Sequence, residues 1–138
     1  MRFIDANVFI YAVLKPKMAL SEAVLQKKTA AKEIFLRVNA GERVTTTTVH
    51  LSEVANVAED AAGISFAGDL LSAILTKPTI NVEPVSADDY RESIRLSQKS
   101  AISINDALAV LIMERQGIRE IYTFDRHFKQ AKVRTVQE

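Results

Sequence analysis

Short β-branched or apolar runs alternate along this chain with longer segments whose hydrophobic residues recur at helical spacing. The short runs predict strands at Arg2–Ile4, Arg43–Thr47, Thr79–Val82, Glu120–Thr123 and Lys132–Val136. After short helical turns that reach Leu14, the longer segments predict helices at Leu20–Ala40, Val49–Ala62, Ser65–Thr76, Ala87–Lys99 and Ile104–Gln116. Strands separated by helices are typical of a parallel sheet covered on both faces. We therefore predict a three-layer α/β/α fold with a central parallel sheet of about four to five strands.

The composition narrows the class of protein. The chain has 138 residues, 48% of them hydrophobic, so we expect residues 1–138 to form one domain with a buried core. It has no cysteine, which excludes disulfide scaffolds, thiolate zinc sites and cysteine nucleophiles and is compatible with a reducing cytoplasm. Its longest apolar run is far shorter than the roughly 20 residues that span a membrane. We expect a cytoplasmic protein without a membrane segment.

Four acidic residues fall near predicted strand ends, where sites form in open parallel sheets. Asp5 directly follows the first strand, and Asp125 comes two residues after the fourth. Glu53 lies in the first turns of the helix that follows the second strand. Asp106 lies in the first turn of a helix that begins near Ser103. We expect these four carboxylates to meet at one edge of the sheet.

Each of these residues also has a purely structural interpretation. Asp5 and Asp125 can each cap a following helical turn by accepting backbone N–H bonds. Glu53 forms a polar stripe with Asn56 and Asp60 at helical spacing, a pattern typical of a solvated face. Taken one at a time, these residues do not decide between structure and function.

Asp106 is harder to explain as a structural residue alone, because the run Ile104–Met113 is apolar around nearly the whole helix. A buried carboxylate is costly unless it is paired or holds a metal. Four carboxylates at one edge would also raise each other's pKa values, and a divalent cation relieves that repulsion. An all-oxygen ligand set suits Mg²⁺ or Mn²⁺. Such a site is the usual centre of a metal-dependent nuclease.

Four motifs, in their order along the chain, resemble those of the PIN-domain family. MRFIDANVFIY resembles the first strand with its terminal Asp, and HLSEVANV resembles the second acidic position. SINDALAVLIM is similar to the third, an Asp that opens an apolar helix, and IYTFDRHF to the last, a Thr-x-Asp followed by an aromatic residue. The size and pattern look most like the VapC-type toxins of prokaryotic toxin–antitoxin modules.

The resemblance implies a PIN-like fold and a Mg²⁺- or Mn²⁺-dependent endoribonuclease that cuts single-stranded or looped RNA. It also implies homodimers and inhibition by a small antitoxin that blocks the acidic site. Asn7 and Thr123 would hydrogen-bond to the carboxylates or to metal-bound water. The metal-binding and catalytic residues carried over by position are Asp5, Glu53, Asp106 and Asp125.

Other functions fit the sequence less well or stay open. No glycine-rich phosphate loop or Gly-x-Ser-x-Gly elbow is present in the sequence, and a phosphoaspartate phosphatase would need an Asp where this chain has Asn7. His50 and His127 lack a second ligand at zinc-like spacing, although His127 can contact RNA near Asp125. A PIN nuclease of RNA processing or decay stays open. So does a non-catalytic interaction module, with apolar segments at 9–14 and 66–75 as its contact surfaces.

The formal net charge of +1 conceals an uneven distribution. Residues 1–43 carry a net charge of +4, residues 44–92 carry −6, and residues 93–138 carry +3. Basic groups near the two ends can flank the acidic site and hold phosphates, so we expect a local, salt-sensitive contact with RNA. The candidates for that contact are Lys15, Lys17, Lys27, Lys28, Arg126 and Lys129.

Overall fold

The structure is a computed structural model that describes residues 1–13, 21–131 and 133–136. The predictions made for Leu14, Lys15, Lys17, Leu20 and Lys132 therefore lie outside the described residues. No helix in the described part of the chain is both long enough and apolar enough to cross a membrane.

Five parallel strands form one sheet in the order β3-β2-β1-β4-β5. The strands are β1 (Arg2–Ile4), β2 (Val44–Thr47), β3 (Ile80–Glu83), β4 (Glu120–Tyr122) and β5 (Arg134–Val136). Each chain crossover within the sheet places a helix on one of its faces. The predicted α/β/α fold with a parallel sheet is confirmed.

Six α-helices and one 3₁₀-helix are found among the described residues. They are α1 (Ala6–Val13), α2 (Glu22–Asn39), α3 (Thr48–Ala62), α4 (Ile64–Thr76), α5 (Ala87–Ser100), α6 (Ile104–Gln116) and the 3₁₀-helix Arg126–Ala131. The 3₁₀-helix was not predicted from the sequence. It directly follows Asp125, the fourth of the predicted acidic residues, and so lies next to the candidate site.

The core has two parts, one on each face of the sheet, and the central strand β1 contributes to both. Ile4 packs in the part formed with α1 and α2, together with Phe9 and Ile34. Its neighbour Phe3 packs in the part formed with α6 and the 3₁₀-helix. Successive side chains of a strand point to opposite faces. The side chain of Asp5, two residues after Phe3, therefore points to the same face of the sheet as Phe3, toward the layer that contains α6.

Helix α6 is the most deeply buried helix of the fold, since every residue from Asp106 to Met113 is buried. Its start is set by Ser103, whose Oγ accepts a hydrogen bond of 3.1 Å from the backbone N–H of Asp106. Its end is set by Gly117, which has a φ of +68° that an L side chain rarely adopts. These two signals place Asp106 in the first turn, at the edge where β1 and β4 end.

Candidate metal centre

Asp5 is the carboxyl group at the end of the central strand, and it is only 6% exposed. Its Oδ1 accepts a hydrogen bond of 2.8 Å from the backbone N–H of Ala6. Its Oδ2 accepts one of 2.7 Å from the hydroxyl of Thr123, which follows the neighbouring strand β4. Burial raises the pKa of Asp5 to about 6; the two hydrogen bonds oppose this rise, and the charge of Asp125 adds to it.

Thr123 connects Asp5 to Asp125. Because its hydroxyl proton is donated to Asp5, its oxygen is available to accept hydrogen bonds from the backbone N–H of Asp125, at 3.0 Å, and from Nδ2 of Asn7, at 3.4 Å. The other amide atom of Asn7, Oδ1, accepts from the backbone N–H of Phe124 at 3.4 Å. Thr123 thus bonds directly to the Asp5 carboxyl group, and Asn7 bonds to Thr123.

Asp106 is 9% exposed and lies close to the other three acidic groups. Burial, followed by the charges of Asp5 and Asp125, raises its pKa to about 7; the hydrogen bond with Ser103 opposes the rise, and Glu53 adds a smaller increase. Mutual repulsion of this kind arises only between carboxyl groups that are near one another. The four acidic residues chosen from the sequence therefore lie in one neighbourhood.

Glu53 is held in the site by a residue that was missed from the sequence. Its Oε1 accepts a short hydrogen bond from Nδ2 of Asn105, which directly precedes Asp106 in α6. Asn56 and Asp60 are exposed, whereas Glu53 is partly buried and turned toward α6. The predicted solvated stripe is therefore exposed at Asn56 and Asp60 but not at Glu53. The position of Asn105 beside Asp106 in the first helical turn was the one available signal.

Asp125 and His127 form the open side of the site. The Oδ1 atom of Asp125 accepts a hydrogen bond of 2.8 Å from the backbone N–H of His127 and lies 3.0 Å from its Nδ1. Asp106, Asp125 and His127 each present one ligand atom, and these three atoms lie within 4.8 Å of one another. Their side chains differ in exposure, since that of Asp125 is 30% exposed and that of His127 is 70% exposed. The folded chain therefore gives His127 neighbours that its sequence spacing did not reveal.

His50 is a second histidine beside the carboxyl groups, and it is 1% exposed. Its Nδ1 lies 2.6 Å from the hydroxyl of Thr47, and its ring packs edge-on against Phe3. Its Nε2 lies 3.8 Å from Oδ1 of Asp5. Burial lowers the pKa of His50 to about 4, although the charge of Glu53 partly offsets this, so the ring is neutral near pH 7.

The sequence pattern of one known family, the PIN domain, matches residues 2–133 of this chain. The chain belongs to the PIN-domain family. Among solved structures it is similar to VapC20 from Mycobacterium tuberculosis, a toxin that cleaves the sarcin–ricin loop, with a TM-score of 0.76 and 22% identity over 100% of this chain and 98% of that chain.

A second solved structure shares the fold of this PIN domain. VapBC2 from Rickettsia felis, bound to a DNA fragment from their promoter, has a TM-score of 0.66 and 13% identity over 98% of this chain and 96% of that chain. No curated protein sequence matches the chain significantly.

The donor set of this PIN domain fits a hard divalent cation. The atoms that could hold it are carboxylate oxygens, which Mg²⁺ and Mn²⁺ prefer, with a nitrogen of His127 beside those of Asp106 and Asp125. The raised pKa values of Asp5 and Asp106 show that their negative charges are poorly compensated by protein groups alone. Bound positive charge would remove that penalty.

Basic residues follow Asp125 on the open side of the site, and an aromatic pair with a basic neighbour precedes it. Arg126 and Lys129 are exposed on the 3₁₀-helix that follows Asp125. The Tyr11 ring packs edge-on against Phe124, with 5.4 Å between the centroids, and Lys27 places its Nζ 5.6 Å from the centre of the Tyr11 ring. Arg126 and Lys129 thus offer positive charge on the segment that directly follows Asp125.

Proposed function

We propose that this PIN domain is a divalent-metal-dependent endoribonuclease that hydrolyses RNA phosphodiester bonds, and that it is the toxin of a type II toxin–antitoxin module. One observation carries the proposal: four carboxyl groups lie close together, and burial, with their mutual repulsion added, raises the pKa of Asp106 to about 7. A protein without a cation there would gain nothing from this costly arrangement.

The metal ligands and catalytic residues that we propose are Asp5, Glu53, Asp106 and Asp125. Mg²⁺ or Mn²⁺ bound there would activate water and stabilise the charge that develops on the scissile phosphate. Thr123 holds Asp5 through the hydrogen bond of 2.7 Å, and Asn7 holds Thr123 in turn. Asn105 holds Glu53 through the hydrogen bond between α6 and α3.

RNA is the proposed substrate, and the likeness to a toxin that cleaves the sarcin–ricin loop supports it. Arg126 and Lys129 are exposed beside Asp125, where their positive charges can hold the phosphates on either side of the cleaved bond. A cytoplasmic location, where RNA is present, belongs to the same proposal.

A small antitoxin and a second copy of the chain are the proposed protein partners. Helix α4 exposes Ile64, Phe66 and Leu75, although its sequence is apolar enough for a core. Exposed apolar side chains of this kind are available for contact with a protein partner. The likeness to VapBC2 supports an antitoxin as one of the two partners.

An RNA-cleavage assay with Mg²⁺, Mn²⁺ and EDTA tests the proposal directly. We expect cleavage with either cation, none with EDTA, and none in the Asp106→Asn variant. The control is Glu59→Gln, because Glu59 is exposed on α3 outside the acidic group, and this variant should cleave as the wild type does. Cleavage that persists in EDTA, or in Asp106→Asn, would contradict the proposal.

A further inference from the structure

The Nε2 atom of His50 is buried and has no hydrogen-bond partner among the described residues. A buried polar atom without a hydrogen bond loses its hydration without compensation, and such atoms are uncommon in folded proteins. The nearby acceptor that its position offers is Oδ1 of Asp5, at 3.8 Å. That separation is too long for a hydrogen bond, so a bond between the two groups requires the Asp5 carboxyl group to move toward the ring.

The surroundings of the ring determine which nitrogen carries the proton. The hydroxyl oxygen of Thr47 accepts the backbone N–H of His50 at 3.2 Å, as the N-cap of α3. Its own proton can be donated to Nδ1, which lies 2.6 Å away, when Nδ1 carries no proton. That arrangement places the single proton of the neutral ring on Nε2, facing Asp5. The opposite tautomer would turn a lone pair toward a carboxylate oxygen.

A neutral donor suits this position better than a charged one. It steadies a carboxylate oxygen without adding a positive charge that would repel a cation bound to the same group. The other oxygen of Asp5 is already held by Thr123 at 2.7 Å. With Thr123 on one oxygen and His50 facing the other, the plane of the carboxyl group is defined from both sides.

We propose that His50 is a positioning residue, whose Nε2–H, oriented by the Thr47 hydroxyl, holds the Asp5 carboxyl group in the orientation that binds the divalent cation. This inference rests on the proposed function, since it assigns His50 a part in the same site. Hydrogen-bonding partners of metal ligands commonly change metal affinity by about 10- to 100-fold.

Mn²⁺ affinity, measured by titration calorimetry on the full chain, tests the inference. His50→Leu keeps an apolar side chain but removes the donor, and it should weaken Mn²⁺ binding about tenfold. His50→Gln places an amide N–H near the position of Nε2 and should recover most of the loss. Unchanged affinity in His50→Leu, or equal loss in both variants, would overturn the inference. Failure of the wild type to bind Mn²⁺ would overturn the proposed metal site and the role of His50 with it.

A second pair of variants covers the case in which His50→Leu does not fold. Thr47→Val removes the hydroxyl that orients the ring and should weaken Mn²⁺ binding, whereas Thr47→Ser keeps it and should not. Nitrogen chemical shifts of the His50 ring in metal-free wild type should identify the Nε2–H tautomer. A proton on Nδ1, or equal Mn²⁺ affinity in Thr47→Val and Thr47→Ser, would contradict the inference even if the protein cleaves RNA.

Discussion

The two halves of the acidic site differ in how their side chains are held. Asp5 is buried directly after β1, and Asp106 is buried in the first turn of α6, so protein groups surround both carboxyl groups. Asp125 and His127 lie on the 3₁₀-helical side, and solvent reaches both of them. In the buried half a lost contact leaves an uncompensated polar group, whereas in the open half water can replace it. The same substitution should therefore cost more in the buried half.

The buried half also shows why the fold keeps an arrangement that costs stability. The pKa values of Asp5 and Asp106 are raised, above all by burial, so in the absence of a cation their ionised forms destabilise the folded chain at neutral pH. The free energy of unfolding is therefore lowered, which we interpret as the cost of holding the proposed ligands in place. The side chains of Asp125 and His127, in the open half, are exposed to solvent and are therefore accessible to a substrate.

The largest expected effect is on cleavage when carboxylates of the two halves are replaced. Asp5→Asn should lower the rate of RNA cleavage more than about 100-fold, because a buried ligand has no substitute. Asp125→Asn should lower it about tenfold, because water can take the place of the lost oxygen. Initial rates at saturating Mn²⁺ measure both. Equal losses in the two variants would remove the distinction between the halves.

The next effect concerns stability and pH in the absence of metal. Because the folded pKa of Asp106 is about 7 and its ordinary value is 3.8, the folded chain binds this proton more tightly than the unfolded chain. Its contribution to stability is present at low pH and is lost as the pH rises through about 7. Asp106→Asn should therefore be more stable than wild type at pH 8, by at most a few kcal/mol, and the gain should shrink toward pH 5.

Urea unfolding in EDTA at pH 8 and pH 5 measures this difference. The comparison must be made between variants, because His50 acts in the opposite direction. Its folded pKa of about 4 lies below the ordinary 6.5, so the neutral ring costs stability as the pH falls below 6.5. An Asp106→Asn variant that is less stable than wild type at pH 8 would show that Asp106 is compensated by protein groups.

Most of the fold could be predicted from the sequence because its boundary signals are local. The observed β1 and α6 have the predicted bounds, and α6 is bounded by the side-chain cap of Ser103 and the left-handed backbone of Gly117. The 3₁₀-helix 126–131 could not be predicted, since so short an element has no hydrophobic period. The apolar segment 66–75 was put forward as a candidate contact surface, and in the structure it leaves Phe66 and Leu75 exposed while it buries Ala67 and Ile74.

The acidic residues of the candidate site could be chosen from the sequence because strand ends and helix starts converge in a parallel sheet. Their supporting contacts could not. The bond from Asn105 to Glu53 joins residues 52 positions apart, and the approach of His50 to Asp5 depends on the direction of a side chain across two elements. Such contacts follow from packing between elements, and no periodicity encodes them. The catalytic roles of all these residues stay predictions.

A smaller effect would show whether the open half contributes to the choice of metal. An imidazole nitrogen favours Mn²⁺ over Mg²⁺ relative to carboxylate oxygens. If His127 joins the ligand set with Asp106 and Asp125, His127→Ala should weaken Mn²⁺ binding several-fold and leave Mg²⁺ binding nearly unchanged. Arg126→Ala, one residue away, is the control and should change neither. Equal loss of both cations would place His127 outside the ligand set.

The smallest effect is the electrostatic one, at the outer rim of the open half. Each phosphate held by a cation contributes about 0.7 to the slope of log affinity against log salt for single-stranded nucleic acid. In the cleavage-deficient Asp106→Asn background, adding Arg126→Ala and Lys129→Ala should reduce that slope by roughly 1.4. Arg43→Ala is the matched control, because Arg43 is exposed before β2, at the opposite edge of the sheet. A slope that falls as much in the control would mean that RNA contacts this chain through its overall charge, with no preference for the open half.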